Sequence, residues 1–246
     1  MGRRPREEAP GAIHHVVPQG NGRGRIVLDD VDRRSYLERF YGVAHERGWI
    51  VHASCLLDTH HHGIVETPQP NLGDGMRLVV GGHAHWFNAR HGRSGAVFSD
   101  RYWSVRVRGE GHLLRACLYA LLNPVAAGLV DHPRDWPWCS YTSLASEGCS
   151  QRLAEFLGTT PREARAQFLS LVDQAVEVIR AQRGAQRSDV LRAAENVAKG
   201  CRSRFVGVGP GPEGRGQSPR PTPNVPPAAA ASAIPSKDHF SRRHER

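Results

Sequence analysis

The sequence predicts an α+β fold: a ferredoxin-like antiparallel sheet with helices on one face, followed by a small helical C-terminal unit and a disordered tail. Three observations carry this expectation. Short apolar runs of strand length alternate with longer runs of helical period in the order strand, helix, two strands, helix, strand, helix. After that pattern ends, Thr160-Pro161-Arg162-Glu163 forms a capping box with proline at the first helical position. From Phe205 on, Gly, Pro, Ala and Arg dominate and leave almost nothing to bury. The expected units are a main domain over residues 11–145, a helical extension over 150–200 and a disordered tail over 203–246.

Each element has a local reason. Ala12 to Val17 is a short apolar strand that runs into a Gly/Asn/Arg loop, Gln19 to Arg25. Over Asp30 to Arg47, Tyr36, Leu37, Phe40, Tyr41 and Ala44 recur at helical spacing, and Gly48 ends the helix. Trp49 to Leu57 and His61 to Glu66 are two strands joined through Asp58-Thr59, a hairpin pattern. Asn71 to Arg90 has helical character, although Gly73, Gly75, Gly81 and Gly82 each cost roughly 1 kcal/mol there. Val97 to Val107 is a further strand and Glu110 to Leu122 a third helix, stopped by Pro124. Beyond Thr160, Phe168, Leu171, Val172, Ala175, Val178 and Ile179 form an apolar stripe suited to packing on the main domain, and Ser188 to Lys199 is a further short helix.

The chain has 246 residues and a formal charge of +9, from 33 Lys+Arg against 24 Asp+Glu. That balance favours a polyanionic partner such as nucleic acid. More than half of the excess lies beyond residue 200, with eight basic residues against three acidic ones. Lys199 and Lys237 are the only lysines, so the positive charge is nearly all guanidinium, which grips phosphate in a bidentate fork. A GC-rich coding sequence gives the same composition. Five cysteines with no C-x-x-C pair point to reduced thiols in a cytosol rather than disulfides or a zinc knuckle. No run approaches 18 apolar residues and Met1-Gly2-Arg3-Arg4-Pro5 is followed by no apolar core, so the expectation is a soluble cytoplasmic protein with no membrane partner.

Two patches carry chemistry. In Asp58-Thr59-His60-His61-His62-Gly63-Ile64-Val65-Glu66, strand alternation puts His60 and His62 on one face and His61 on the other. About 60 residues later, Tyr119 and Asn123 stand i,i+4 on one helix face. Together they would set two imidazoles, an amide oxygen and a phenol around a metal. Taken singly, each has another reading: a His-x-His pair also fits hydrogen-bonded strand histidines, Tyr119 a half-buried helix aromatic, and Asn123 a C-cap before Pro124. His14, His15, His83 and His85 read as structural or exposed, with contact to DNA by one of them as the alternative. Trp136 and Trp138 fit anchoring of the chain against the core, or stacking on unpaired bases. Arg101, Arg106 and Arg108 fit phosphate contacts or a solvated strand edge.

Several local patterns over residues 11–144 resemble the single-tyrosine HUH transposases, in particular the REP-associated tyrosine transposases. They are His15-Val16-Val17-Pro18-Gln19-Gly20-Asn21, Cys55-Leu56-Leu57 leading into the histidines, Tyr119-x-x-x-Asn123-Pro124-Val125-x-Ala127-Gly128-Leu129-Val130, and Trp136-Pro137-Trp138-x-Ser140-Tyr141. The chain departs from that pattern at His61, where the family has a bulky apolar residue, at Gly63, where it has an aliphatic one, and at Asp58-Thr59, which replace Pro-Asn.

The resemblance implies a DNA transposase or strand-transfer nuclease acting on single-stranded or hairpin DNA. Tyr119 would be the nucleophile, forming a 5′-phosphotyrosine and a free 3′-hydroxyl, with His60, His62 and Asn123 holding Mg²⁺ or Mn²⁺. A phenol titrates near about 10 and the diester is anionic, so a divalent cation that polarises a phosphate oxygen helps. A homodimer is compatible with the resemblance. Two other classes fit the same residues: a transposase-derived DNA-binding protein without catalysis, and a metal-dependent phosphodiesterase that does not use Tyr119.

Overall fold

The computed structural model describes residues 8–181, apart from 100, 148, 158 and 159, and three isolated positions, 192, 194 and 196. The tail expected over 203–246 and most of the helix expected over 188–199 lie outside the described residues. Strands β1 (Ala12–Val17), β2 (Ile50–Leu56), β3 (His61–Thr67) and β4 (Trp103–Val107) form one sheet in the order β2-β3-β1-β4, every neighbour antiparallel. With helices α1 (Asp30–Glu46) and α2 (Leu72–His91) as crossovers, this is the ferredoxin-like arrangement.

The strands alternate between two cores. Val16, Leu56 and Val65 face α1 and α2, where Tyr36, Phe40, Met76, Val79 and Phe87 are buried. Ile13, Ala53, Cys55, Ile64 and Val107 face the opposite way, onto α3 (Glu110–Ala126). The crossover helices thus occupy one face, as expected, while α3 adds a layer on the other. Behind α3, α5 (Gln151–Phe156) and α6 (Pro161–Ala181) extend the second core through Leu153, Phe168, Val172 and Ile179; α4 (Tyr141–Glu147) connects them to the main domain. The stripe read from the sequence of α6 is the face that packs there.

Two helices differ from their sequence reading. The glycines of α2 are tolerated because one is needed: a Cβ on Gly75 would lie 2.3 Å from Trp49 Cζ2, so glycine lets the helix approach that indole. Pro124 does not stop α3, which runs one turn further to Ala126. Gly128, at φ 68°, provides the left-handed stop instead, and Ala127 N–H still donates to the Asn123 carbonyl at 2.9 Å. The strand expected from Val97 begins only at Trp103; Phe98 makes an isolated bridge to Gly20.

The Trp136-Pro137-Trp138 segment anchors against the outer edge of β2. Trp136 Nε1 donates to the Leu56 carbonyl at 2.9 Å, Leu56 N–H donates to the Trp138 carbonyl at 2.8 Å, and Trp138 is buried. The cysteines Cys55, Cys117, Cys139 and Cys149 are free and buried, and burial pushes the Cys139 and Cys149 thiols up to about 12.

Candidate functional site

The antiparallel register fixes which side chains meet. β3 lies beside β1 with Val16 opposite Gly63 and His15 opposite Ile64, so His15 and His62 come up on the α3 face as diagonal neighbours. α3 crosses this face and presents Tyr119 to them. The His62 and Tyr119 rings are 5.3 Å apart, His60 and His62 4.9 Å, and His15 and Tyr119 5.9 Å. Three imidazoles and one phenol therefore form a single cluster. His62 and Tyr119 are buried, whereas His60 at the strand entrance is partly open.

Hydrogen bonds orient the cluster. His15 Nε2 and His62 Nδ1 share one at 2.8 Å, and His60 Nδ1 pairs with Thr59 Oγ1 at 2.9 Å. Asn123 Nδ2 donates to the Tyr119 carbonyl at 2.6 Å, tying the i,i+4 pair together on the helix. Asn123 is inside α3 rather than at its cap, so the C-cap reading does not hold. Among the described residues no group of three or more His, Cys, Asp or Glu side chains is arranged to hold a metal ion. The side chains that meet in the cluster offer imidazole nitrogens and a phenol oxygen.

His61 points the other way, as alternation requires. Its ring is fully buried between Tyr36 and Phe40, with centroids 5.2 and 4.5 Å away. Ser54 Oγ meets Nε2 at 2.8 Å and Tyr36 Oη meets Nδ1 at 3.2 Å, so both ring nitrogens have hydroxyl partners. Burial, with smaller contributions from His60 and His15, lowers its pKa to about 3 and keeps the ring neutral. Gly63 makes room for this packing: a Cβ there would lie 3.0 Å from Val16 Cγ2, 3.2 Å from Phe40 Cζ and 3.3 Å from His61 Cε1. The departures at His61 and Gly63 are thus one packing solution, an imidazole between two aromatic rings and a missing Cβ beside it.

The other residues singled out from the sequence divide. Arg101 and Arg108 are exposed at the two ends of β4; Arg106 pairs with His14 on the α1–α2 face and is half-buried, away from Tyr119. His83 belongs to the α1–α2 core, where its Nε2–H donates to the Ile26 carbonyl at 2.7 Å, and His85 is exposed on α2. The residue that sequence reasoning missed is His15. Its signal was available: once Ala12 to Val17 pairs with the histidine strand, every second residue shares a face with His62.

No protein-family model matches the chain, and no curated protein does. Solved structures do. A REP-associated tyrosine transposase bound to a REP hairpin superposes with a TM-score of 0.52 at 19% identity, over 62% of this chain and 90% of that one. A crystal structure of a "putative transposase from Deinococcus radiodurans R1" matches at 16% identity and a TM-score of 0.35, over 44% and 88%, too loosely to bear on the fold. The chain therefore has the fold of a REP-associated tyrosine transposase.

Proposed function

We propose that the protein cleaves and rejoins single-stranded DNA through a covalent bond to Tyr119. The observation that carries this is the cluster of Tyr119 with His62 and His60 across α3 and β3, on a fold shared with a transposase that binds a DNA hairpin. The Tyr119 hydroxyl oxygen attacks a backbone phosphorus, the bond to the 3′ oxygen breaks, and the proton lost by the phenol is balanced by one taken up at the released 3′-hydroxyl. The phosphodiester energy is kept in the phosphotyrosine, so a second 3′ end can reverse the step without nucleotide hydrolysis.

The donor set of His60, His62 and Asn123 is neutral and suits Mg²⁺ or Mn²⁺ with water and phosphate oxygens completing the shell. Such a cation would polarise a phosphate oxygen and offset the diester's charge. The chain's own part is orientation. Thr59 holds the His60 ring, His15 holds the His62 ring, and Asn123 is tied to the turn of helix that carries Tyr119.

Labelled single-stranded and hairpin oligonucleotides, with palindromes from the DNA flanking the gene included, should give an SDS-resistant protein–DNA adduct in Mg²⁺ or Mn²⁺. Tyr119→Phe should abolish the adduct while leaving binding. DNA binding without any adduct in the wild type would identify a non-catalytic binder instead. Strand scission that survives Tyr119→Phe, with no protein attached, would identify a phosphodiesterase.

A further inference from the structure

Trp103 is the most exposed large apolar side chain among the described residues, at 54%. It begins β4, the edge strand, and by alternation shares the α3 face with Val105 and Val107, opposite Val17, His15 and Ile13 of β1. α3 covers only part of that face: Val107 is buried, Val105 is 37% exposed and Trp103 lies open. The indole nevertheless has a fixed neighbour. Its ring is 5.5 Å from His15, edge to face at 87°, and His15 in turn is 5.9 Å from Tyr119. One imidazole separates an open indole from the tyrosine.

The chemistry around it selects an occupant. Residues 101–108 contain three arginines and no acidic residue, with Arg101 and Arg108 exposed at the strand's two ends. A second copy of this surface would bring arginine against arginine. The chain's own segment beyond residue 200, with eight basic residues against three acidic ones, has the same sign. A single-stranded nucleic acid matches this surface on both counts, with an anionic backbone for its net positive charge and flat bases for the indole.

We infer that Trp103 is a stacking platform for an unpaired base of the DNA strand that passes Tyr119, with Val105 continuing the apolar floor along β4. This rests on the proposed strand-transfer reading and adds to it the residue that holds the nucleotide beside the scissile phosphate. Alternation puts Arg106 on the far face, with Arg108 in the same register, so Arg101 at the Trp103 end is the phosphate contact of this track.

Base stacking separates from phosphate binding when fluorescein-labelled oligothymidylate is compared with an abasic sugar-phosphate strand of the same length. The wild type should prefer the thymidylate by roughly tenfold. Trp103→Ala should lose most of that preference with unchanged affinity for the abasic strand, and Trp103→Phe should keep much of it. The side chain is exposed, so both variants should melt like the wild type. Equal preference in wild type and Trp103→Ala overturns the inference. A change of elution volume in Trp103→Ala with DNA affinity unaltered overturns it too, assigning the indole to contact between copies. Adduct formation by the wild type, assayed in parallel, reports separately on the strand-transfer reading, so either can fail without the other.

Discussion

His15 Nε2 and His62 Nδ1 are joined at 2.8 Å across the β1–β3 pair, so the imidazole facing Tyr119 is held through its far nitrogen by a second imidazole. A histidine whose Nδ1 is engaged offers Nε2 to a metal, and partners of this kind fix ring orientation and tautomer. His15→Ala should weaken Mn²⁺ binding about 10- to 100-fold, read by titration of the metal, and reduce the adduct in parallel. His15→Asn, which keeps a hydrogen-bonding group on the strand, should recover part of the affinity. Unchanged Mn²⁺ affinity in His15→Ala would remove His15 from the site.

The order of the strands and helices was legible because each element has its own period: Ala12 to Val17 is the observed β1 residue for residue, and α1 ends within one residue of the expected point. What was not legible depends on contacts between distant segments. Nothing local tells that α3 lies on the face opposite α1 and α2, that His15 pairs diagonally with His62, or that Gly75 yields to Trp49. Pro124 misled because a proline within the last turn of a helix costs one hydrogen bond, which the buried surroundings of α3 outweigh.

Gly63 and His61 should behave as a coupled pair. Gly63→Ala puts a methyl 3.0 Å from Val16 Cγ2 and 3.3 Å from His61 Cε1, an overpacking that should cost about 1–3 kcal/mol in denaturant unfolding. In a His61→Ala background the same substitution should cost less, because one of its three close neighbours is gone. Additive effects in the double variant would show that the two positions are independent.

His61 also makes stability depend on pH. Its folded pKa, lowered to about 3 mainly by burial, lies below that of the unfolded chain, so between the two values the unfolded state binds the extra proton. Its contribution is complete above about pH 6.5 and falls as pH drops towards about 3, by up to about 1.4 kcal/mol per pH unit. Burial lowers the pKa of His83 as well, which acts in the same direction. His61→Leu should be less stable at pH 8, having stranded the Ser54 and Tyr36 hydroxyls, yet lose less than the wild type between pH 8 and pH 5. Urea midpoints at the two pH values give the comparison, and parallel losses would assign the dependence to other groups.

Glu66 links the sheet to the helical extension. β2 bulges at His52, which turns its ring to the α3 face; there Nδ1 pairs with Ser150 Oγ at 2.7 Å and Nε2 lies 3.3 Å from Glu66 Oε2. Arg152 Nε reaches the same oxygen at 2.8 Å from α5. Burial alone would raise the Glu66 pKa, but the His52 imidazole and Arg152 guanidinium against it outweigh that and hold the carboxyl below its usual value. The stabilisation it confers is therefore present above the unfolded-state pKa, near about 4.5, and is lost as pH falls through the lower folded value. Glu66→Gln should cost about 1–3 kcal/mol, because His52 and Arg152 lose a charged acceptor in a buried place. Arg152→Ala should cost only about 0–1 kcal/mol, since its side chain is 52% exposed and Glu66 keeps His52. Thermal melts of the two variants decide the point: an Arg152→Ala loss equal to that of Glu66→Gln would mean that the ion pair, rather than the buried carboxylate and its histidine, fastens α5 to the sheet.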